Sequence, residues 1–142
     1  MSKEENEKLA RHIYALIDQG ELEQLRDLMT EDYALHYAGI PEPLDRDATI
    51  ELIGEFYTAF PDYVHVIESI VASGDEAAVR LTFHATHRKE FEGIAATGKR
   101  VTYSGMHMLT IAGRKVREMW ALEDSLGLMQ QLGMEFKDPA IR

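Results

Sequence analysis

Two side chains in the second half of the sequence have the chemistry of an acid/base site. Asp124 follows closely after an apolar strand pattern that ends at Leu122, and a carboxylate that loses solvent in an apolar pocket becomes a better proton acceptor. His107 stands between Met106 and Met108, where a neutral imidazole could donate a hydrogen bond to a substrate carbonyl and stabilise an enolate. We therefore predict that Asp124 and His107 are catalytic.

Both residues also have structural explanations. Aspartate is a favoured N-cap, and Asp124 directly precedes a short helical pattern. His107 could instead be a core histidine whose ring nitrogens are hydrogen-bonded. The predicted hairpin sets His107 opposite Met119 or Trp120. Asp124 then lies roughly 13 Å further along the sheet at ~3.3 Å per residue, so the two side chains can bracket a ligand but cannot share a hydrogen bond.

Five further side chains are predicted to contact a substrate in such a pocket. His36 and Tyr33 lie in a short extended segment after the second predicted helix, and Tyr57 lies on the third. Arg80 points away from the apolar residues of its strand, so it could anchor a polar substrate group, although the pattern favours an ion pair on the outer face of the sheet. Trp120 shares one face of the last strand with Leu122 and is predicted to be a wall or core residue.

The composition limits the kinds of site that the chain can build. The 142 residues fit a single domain, predicted to span 1–142. Cysteine is absent, which excludes disulfides, a thiol nucleophile and sulfur-ligated zinc or iron–sulfur sites. The six histidines have no chelating spacing, so we expect no metal. The formal net charge of −10 argues against nucleic acid and anionic membranes as partners.

The first eight residues are too polar for the apolar core of a secretory signal. No run of the sequence approaches the ~18 apolar residues of a membrane span. From these two observations we expect a cytoplasmic protein.

Helical spacing governs roughly the first 60 residues, and strand patterns govern most of the rest. Helices followed by consecutive hairpins predict an α+β fold, in which helices cover one face of a mostly antiparallel sheet. The predicted helices are 2–19, 22–29, 45–60 and 124–132, with a short extended piece at 33–37 and strands at 64–71, 78–84, 101–111 and 116–122.

Several short motifs, in their order and spacing, resemble the SnoaL-like polyketide cyclase family. The similarity covers nearly the whole chain. The motifs are Asp32-Tyr33 with His36, Phe60-Pro61-Asp62, the stretch 74–80, Thr86-His87, the stretches 91–94 and 97–99, the stretch 113–120, Asp124 and Gln131-Leu132-Gly133.

The resemblance implies a cone-shaped α+β barrel of the nuclear transport factor two-like type, with a curved sheet packed on three helices around one apolar pocket. It also implies that Asp124 matches the family's usual acid/base aspartate. The expected function is that of a cofactor-free cyclase, which closes a ring by intramolecular aldol condensation of a hydrophobic carbonyl substrate. Two alternatives stay open: an isomerase or epoxide hydrolase that uses the same pocket, and a non-catalytic protein that binds a small hydrophobic molecule.

Apolar residues on both faces of the later strands predict self-association. Met106 and Met108 lie on one face of their strand, whereas Leu109 and Ile111 lie on the other face. Helices can cover only one of these faces, and an exposed apolar patch usually marks a partner surface. We therefore expect a homodimer or a larger homo-oligomer.

Overall fold

The computed structural model describes residues 2–135, which form four helices and five strands. This architecture confirms the predicted α+β class. The helices are α1 (Lys3–Asp18), α2 (Leu22–Asp27), α3 (Arg46–Ala59) and α4 (Ser125–Gln131), and the strands are β1 (Met29–Tyr37), β2 (Val64–Ser73), β3 (Glu76–Thr86), β4 (Arg100–Ala112) and β5 (Lys115–Glu123).

The five strands form one open mixed sheet in the order β1-β5-β4-β3-β2. β2 to β5 are a meander of antiparallel neighbours, whereas β1 pairs in parallel with β5. The prediction of a short extended piece at 33–37 was therefore incomplete, because β1 begins at Met29 and is an edge strand of nine residues. Its early residues alternate poorly in hydrophobicity, and a register shift between Met29 and Ala34 interrupts its pairing.

Helices α1 and α3 begin at side-chain caps. Ser2 and Glu5 form a reciprocal capping box at α1, and Asp45 accepts a hydrogen bond of 2.8 Å from the Ala48 backbone N–H at α3. Such caps satisfy N–H groups that have no partner inside the helix. The apolar stripe of α1 then packs on the inner face of the sheet, with contacts to β2 and β3.

The inner and outer faces of the sheet alternate strictly along β4. Tyr103, His107 and Leu109 are buried on the inner face, whereas Met106 and Met108 are exposed on the outer face. This alternation follows from the two-residue repeat of a strand. The whole core lies between the inner face and the helices.

A register shift between Thr110 and Ile111 changes the alignment of β4 with β5. The predicted partners of His107, Met119 or Trp120, are therefore wrong, since His107 pairs with Ala121. A bulge adds a residue to one strand and moves every later partner along the other. No helix among the described residues is long and apolar enough to cross a membrane.

Candidate active site

An apolar cavity lies between α1, α3 and the inner face of the sheet. It contains about 90 Å³ of space for the centres of water-sized molecules, which is several times what a single water requires. Aliphatic and aromatic side chains form most of its wall, and the polar atoms in that wall belong to five tyrosines, two histidines, one threonine and one carboxylate: Tyr14, Tyr33, Tyr37, Tyr57, Tyr63, His65, His107, Thr49 and Glu123. An apolar cavity with a few convergent polar groups is typical of a small-molecule site.

Four of these groups form a continuous chain of hydrogen bonds. The Nε2 atom of His107 lies 2.7 Å from a carboxylate oxygen of Glu123, and the Tyr37 hydroxyl donates to the other oxygen at 2.8 Å. On the opposite side of the ring, Nδ1 of His107 lies 2.7 Å from the Tyr14 hydroxyl. Because a carboxylate only accepts, Nε2 of His107 carries a proton whether or not the ring is charged; Nδ1 accepts from the Tyr14 hydroxyl in the neutral ring and donates to the Tyr14 oxygen in the protonated ring.

Burial and this hydrogen bonding set the protonation states of Glu123 and the two tyrosines. Burial alone would raise the pKa of the Glu123 carboxyl, but the hydrogen bond and charge of His107, with the Tyr37 hydroxyl, outweigh it and lower the pKa. Burial and the Glu123 charge raise the pKa of Tyr14 well above its ordinary value and also raise the pKa of Tyr37. Glu123 is therefore a carboxylate, and both tyrosines are hydroxyl donors.

Gly105 makes room for Glu123 on the neighbouring strand. The two residues are cross-strand partners, and a Cβ atom at Gly105 would lie 2.9 Å from Cγ of Glu123 and 2.8 Å from the ring of Phe83. These distances are shorter than van der Waals contact, so any side chain at Gly105 would displace the carboxylate. A glycine inside a strand often marks such a close approach.

A second histidine of the cavity is paired with another carboxylate. Nδ1 of His65 lies 2.6 Å from Asp18 Oδ1, and the His65 backbone N–H donates to both Asp18 oxygens at 3.1 and 3.2 Å. The His65 side chain is 6% exposed. Burial and the charge of Asp18 raise the pKa of the nearby Tyr57, whose hydroxyl donates to the Tyr63 carbonyl at 2.9 Å.

The sequence matches one family along most of its length. The SnoaL-like polyketide cyclase pattern covers residues 7–132. The chain belongs to the SnoaL-like polyketide cyclase family. No match is found among the curated proteins.

Solved structures of SnoaL-like and related proteins share this fold. AclR, a candidate hydroxylase from Streptomyces galilaeus, has a TM-score of 0.86 at 27% identity over 93% of this chain and 98% of its own. IdmH, a candidate polyketide cyclase from Streptomyces antibioticus, has a TM-score of 0.82 at 27% identity over 91% and 99%. A candidate SnoaL-like cyclase from Jannaschia sp. CCS1 has a TM-score of 0.85 at 18% identity over 94% and 95%. The predicted fold of the nuclear transport factor two-like type is confirmed.

Three of the predicted site residues line the cavity between the helices and the inner face of the sheet, which we call the inner cavity. His107 lies at its polar end, and Tyr33 and Tyr57 form part of its wall. Tyr33 is on the inward-facing side of β1, and Tyr57 is near the C-terminal end of α3. The structure thus brings together side chains from three elements that are far apart in the sequence.

The other three predicted contact residues lie on the opposite face of the sheet. The His36 ring stacks on Trp120 with ring centroids 3.8 Å apart, and His36 Nε2 lies 3.0 Å from a carboxylate oxygen of Glu118. Trp120 is 52% exposed, so it is not a core residue, and together with His36 it lines a concave surface on the outer face instead. Arg80 is also exposed on this outer face. None of the three is among the residues that line the inner cavity.

The predicted pocket position of Asp124 is corrected in the same way. Asp124 is exposed, does not line the inner cavity, and caps α4 by accepting a hydrogen bond of 2.9 Å from the Gly127 backbone N–H. The strand ends at Glu123, and the one-residue step to Asp124 turns the side chain out of the sheet's inner face. The carboxylate at the cavity is therefore that of Glu123.

Sequence reasoning missed Glu123 and the Asp18–His65 pair. Glu123 shares the strand alternation of Met119 and Ala121, which are buried on the inner face, and that alternation was the available signal. The Asp18–His65 pair joins residues 47 positions apart and left no local signal. Among the described residues, no three His, Asp or Glu side chains converge as a metal site would require.

Proposed function

We propose that this SnoaL-like protein closes a ring in a hydrophobic carbonyl compound by an intramolecular aldol reaction in the inner cavity. The single observation that carries the proposal is the buried chain from Tyr14 through His107 to Glu123 in an otherwise apolar wall. Membership of the SnoaL-like polyketide cyclase family supports the reaction class. The apolar wall suits a substrate that is mainly hydrocarbon.

The hydrogen-bonded chain serves as the donor that stabilises negative charge on the substrate oxygen. When His107 is protonated, its Nε2–H donates to Glu123 and its Nδ1–H donates to the Tyr14 oxygen. The Tyr14 hydroxyl is then free to donate to the substrate carbonyl. A donor placed in advance in an apolar site typically contributes 10²–10³-fold to the rate. The raised pKa of Tyr14 keeps its hydroxyl protonated for this role.

Glu123 orients His107 and balances the positive charge of its protonated ring. Both carboxylate oxygens already accept hydrogen bonds, from His107 and Tyr37. The lowered pKa of Glu123 also makes this carboxylate a weak proton acceptor. The role is that of a buried carboxylate that holds a catalytic imidazole in one tautomer.

The chemistry of ring closure needs no electron acceptor, and the proposal includes no cofactor. A proton leaves the carbon beside one carbonyl, and the resulting enolate attacks a second carbonyl of the same molecule. The alkoxide formed there then takes up a proton. Confinement of the folded substrate by the cavity wall contributes the orientation that an intramolecular reaction requires.

We also propose that the protein is a homodimer associated through the outer face of the sheet. Met106, Met108, Trp120 and Leu122 are all exposed on this face, and they lie together on β4 and β5. A contiguous apolar surface of this kind is costly to leave in water and usually marks a partner site. Association through one self-complementary patch is the commonest symmetric arrangement.

The proposed reaction is tested with two substitutions at adjacent carboxylates. Glu123→Gln removes the charge at the cavity, and Asp124→Asn is the matched control on the exposed helix cap. We expect Glu123→Gln to lower turnover by about 10²-fold or more and Asp124→Asn to leave it nearly intact, because asparagine caps as well as aspartate. The substrate panel comprises anthracycline-like methyl esters, small enones and epoxides.

Each outcome of this test distinguishes the proposal from its alternatives. Undiminished turnover in Glu123→Gln contradicts the proposed role of the hydrogen-bonded side chains Tyr14, His107 and Glu123. A large loss in Asp124→Asn alone returns the acid/base role to the exposed aspartate. Binding without turnover across the whole panel favours a protein that only holds a hydrophobic molecule, and turnover confined to enones or epoxides favours an isomerase or an epoxide hydrolase.

A further inference from the structure

We infer that His65, oriented by Asp18, is the base that takes the proton from the substrate carbon. This inference rests on the proposed function, because it supplies the proton acceptor that the Tyr14–His107–Glu123 chain lacks. His65 lines the same cavity as His107. The two histidines differ in which of their ring nitrogens are already occupied.

The Asp18 contact fixes the tautomer of the His65 ring. Nδ1 of His65 lies 2.6 Å from the Asp18 carboxylate, which only accepts hydrogen bonds, so Nδ1 carries the proton. In the neutral ring the lone pair is then on Nε2. A carboxylate that holds a histidine through one nitrogen leaves the other nitrogen ready to accept a proton and stabilises the cation that forms.

The Nε2 atom of His65 has no hydrogen-bond partner among residues 2–135, although the ring is almost fully buried at the cavity wall. Both nitrogens of His107 are occupied, one by Tyr14 and the other by Glu123. His107 would have to break a hydrogen bond of 2.7 Å before accepting a proton from carbon. Of the two cavity histidines, His65 is the one with a free basic nitrogen.

One turn of α1 places the base and the donor side by side. Tyr14 and Asp18 are four residues apart, so they lie on the same face of the helix. The Tyr14 ring is 5.2 Å from the His65 ring and 5.8 Å from the His107 ring, measured between centroids. When the Tyr14 hydroxyl binds the carbonyl oxygen of a substrate, the carbon beside that carbonyl can therefore lie next to His65.

The position of Asp18 is unfavourable for the helix alone. Asp18 is the last residue of α1, and the last turn contains no basic residue. The helix dipole disfavours a negative charge at this end. A residue that is unfavourable for its own helix, and that no other residue of the helix compensates, often has a functional role. Here the compensation comes from His65, which binds both Asp18 oxygens through its backbone and one through its ring.

The proposed step transfers one proton and returns it. Nε2 of His65 takes the proton from the carbon beside the carbonyl, and the electron pair of that C–H bond forms the enolate. The enolate oxygen accepts the Tyr14 hydroxyl hydrogen bond, and the enolate carbon bonds to the carbon of the second carbonyl. The oxygen of that carbonyl becomes an alkoxide and takes the proton back from the His65 cation.

The tautomer is tested by nitrogen-15 NMR of histidine-labelled protein, at a pH where both rings are neutral. We expect His65 with its proton on Nδ1 and His107 with its proton on Nε2. Asp18→Asn should reduce the Nδ1–H population of His65 while leaving that of His107 unchanged. A neutral His65 with its proton on Nε2 in the unsubstituted protein overturns the inference, because the nitrogen that does not contact Asp18 would then be a donor.

Proton removal is tested with 2-tetralone, a hydrophobic ketone with acidic hydrogens beside the carbonyl, by following its deuterium exchange in D₂O. We expect the protein to accelerate the exchange and His65→Gln to lose about 10²-fold or more of that acceleration. His84→Gln is the matched control, since His84 lies on the outer face and pairs with Thr102. No acceleration by the unsubstituted protein, or full acceleration in His65→Gln, overturns the inference.

A second probe shows whether the proposed function fails along with the inference. 4-Nitrophenol mimics an enolate when ionised, and its phenolate colour reports binding to the donor chain. If the protein stabilises the phenolate and Glu123→Gln does not, the donor chain stands even where His65 proves dispensable. If neither protein stabilises the phenolate, the proposed function fails as well. We expect His65→Gln to bind the phenolate as the unsubstituted protein does.

Discussion

The two faces of the sheet each carry a histidine–glutamate pair, and β5 supplies both glutamates. On the inner face His107 and Glu123 are 6% and 7% exposed, whereas on the outer face His36 and Glu118 are 23% and 35% exposed. Hydrogen bonds from His107 and Tyr37 hold the inner carboxylate, and His36 and the Trp120 N–H hold the outer one. The same pair of residue types therefore exists in two very different surroundings.

This comparison shows that surroundings decide what the pair can do. Within one subunit, solvent screens the outer pair and supplies alternative partners for both side chains, so the contact contributes little to the free energy of folding of the subunit. The inner pair is cut off from water, and each member depends on the other to offset the cost of its own burial. Only the inner pair can hold one protonation state firmly enough to direct chemistry.

The largest expected difference between the two pairs is in the free energy of unfolding. Glu123→Ala leaves His107 and Tyr37 without their buried partner, and breaking a buried pair typically costs about 3–5 kcal/mol. Glu118→Ala is the matched substitution on the outer face and should cost no more than about 1 kcal/mol. Urea unfolding of both variants measures the difference. Equal losses of stability in the two variants would contradict the burial of the Glu123 carboxylate.

The outer face gives the next largest effect, which is on self-association. Leu122→Glu places a charge in the centre of the exposed apolar patch and should convert the proposed dimer into a monomer of 16.1 kDa. Leu126→Glu is the control, because Leu126 is also exposed but lies on α4 rather than on the sheet. Sedimentation at micromolar concentration distinguishes the species. A monomer before any substitution contradicts the proposed dimer.

The exposed apolar patch also explains which parts of the molecule sequence reasoning could identify. The helices, the meander and the inward position of His107 follow from periodicity, because the inner face of β4 is continuous. On β5 the outward residues Trp120 and Leu122 are more apolar than the inward residue Ala121. Hydrophobicity therefore indicated the wrong face, and the carboxylate of the cavity was placed one residue too late.

Contacts between distant elements were out of reach for a different reason. The parallel pairing of β1 with β5 joins strands that are far apart in the sequence, and the Asp18–His65 contact depends on how α1 packs on the sheet. Neither leaves a repeat or a spacing within one element. The bulge in β5 relative to β4 could not be predicted either, because nothing in the composition of the two strands marks it. It moves the partner of His107 along β5.

The pH dependence of stability gives a smaller, signed test of the inner pair. The pKa of Glu123 is lowered in the folded protein, so its contribution is complete above the ordinary carboxyl pKa of 4.5 and is lost as the pH falls through the lowered value. Each unit of lowering contributes about 1.4 kcal/mol. Comparing urea unfolding at pH 7 and pH 4, we expect a smaller loss in Glu123→Gln than in the unsubstituted protein. An identical pH profile would contradict the lowered pKa.

The smallest effect is expected at Thr49, the one polar group of the inner cavity wall whose hydroxyl is buried without a hydrogen-bond partner among residues 2–135. Valine has nearly the same shape, so Thr49→Val removes an unsatisfied group without opening a cavity. Stability should therefore stay the same or rise by up to about 1 kcal/mol.

A free hydroxyl at the wall can instead bind a polar group of the substrate, at a distance from His65 that the length of α3 sets. Thr49 and Tyr57 are eight residues apart, roughly 12 Å along the helix, and Tyr57 lies near the Asp18–His65 pair. Thr49→Val should then weaken binding of a substrate with oxygens at both ends by about 1 kcal/mol, while 2-tetralone, with one carbonyl, binds as before. Titration calorimetry with both kinds of ligand measures this, and an equal change for both would show that Thr49 only fills space.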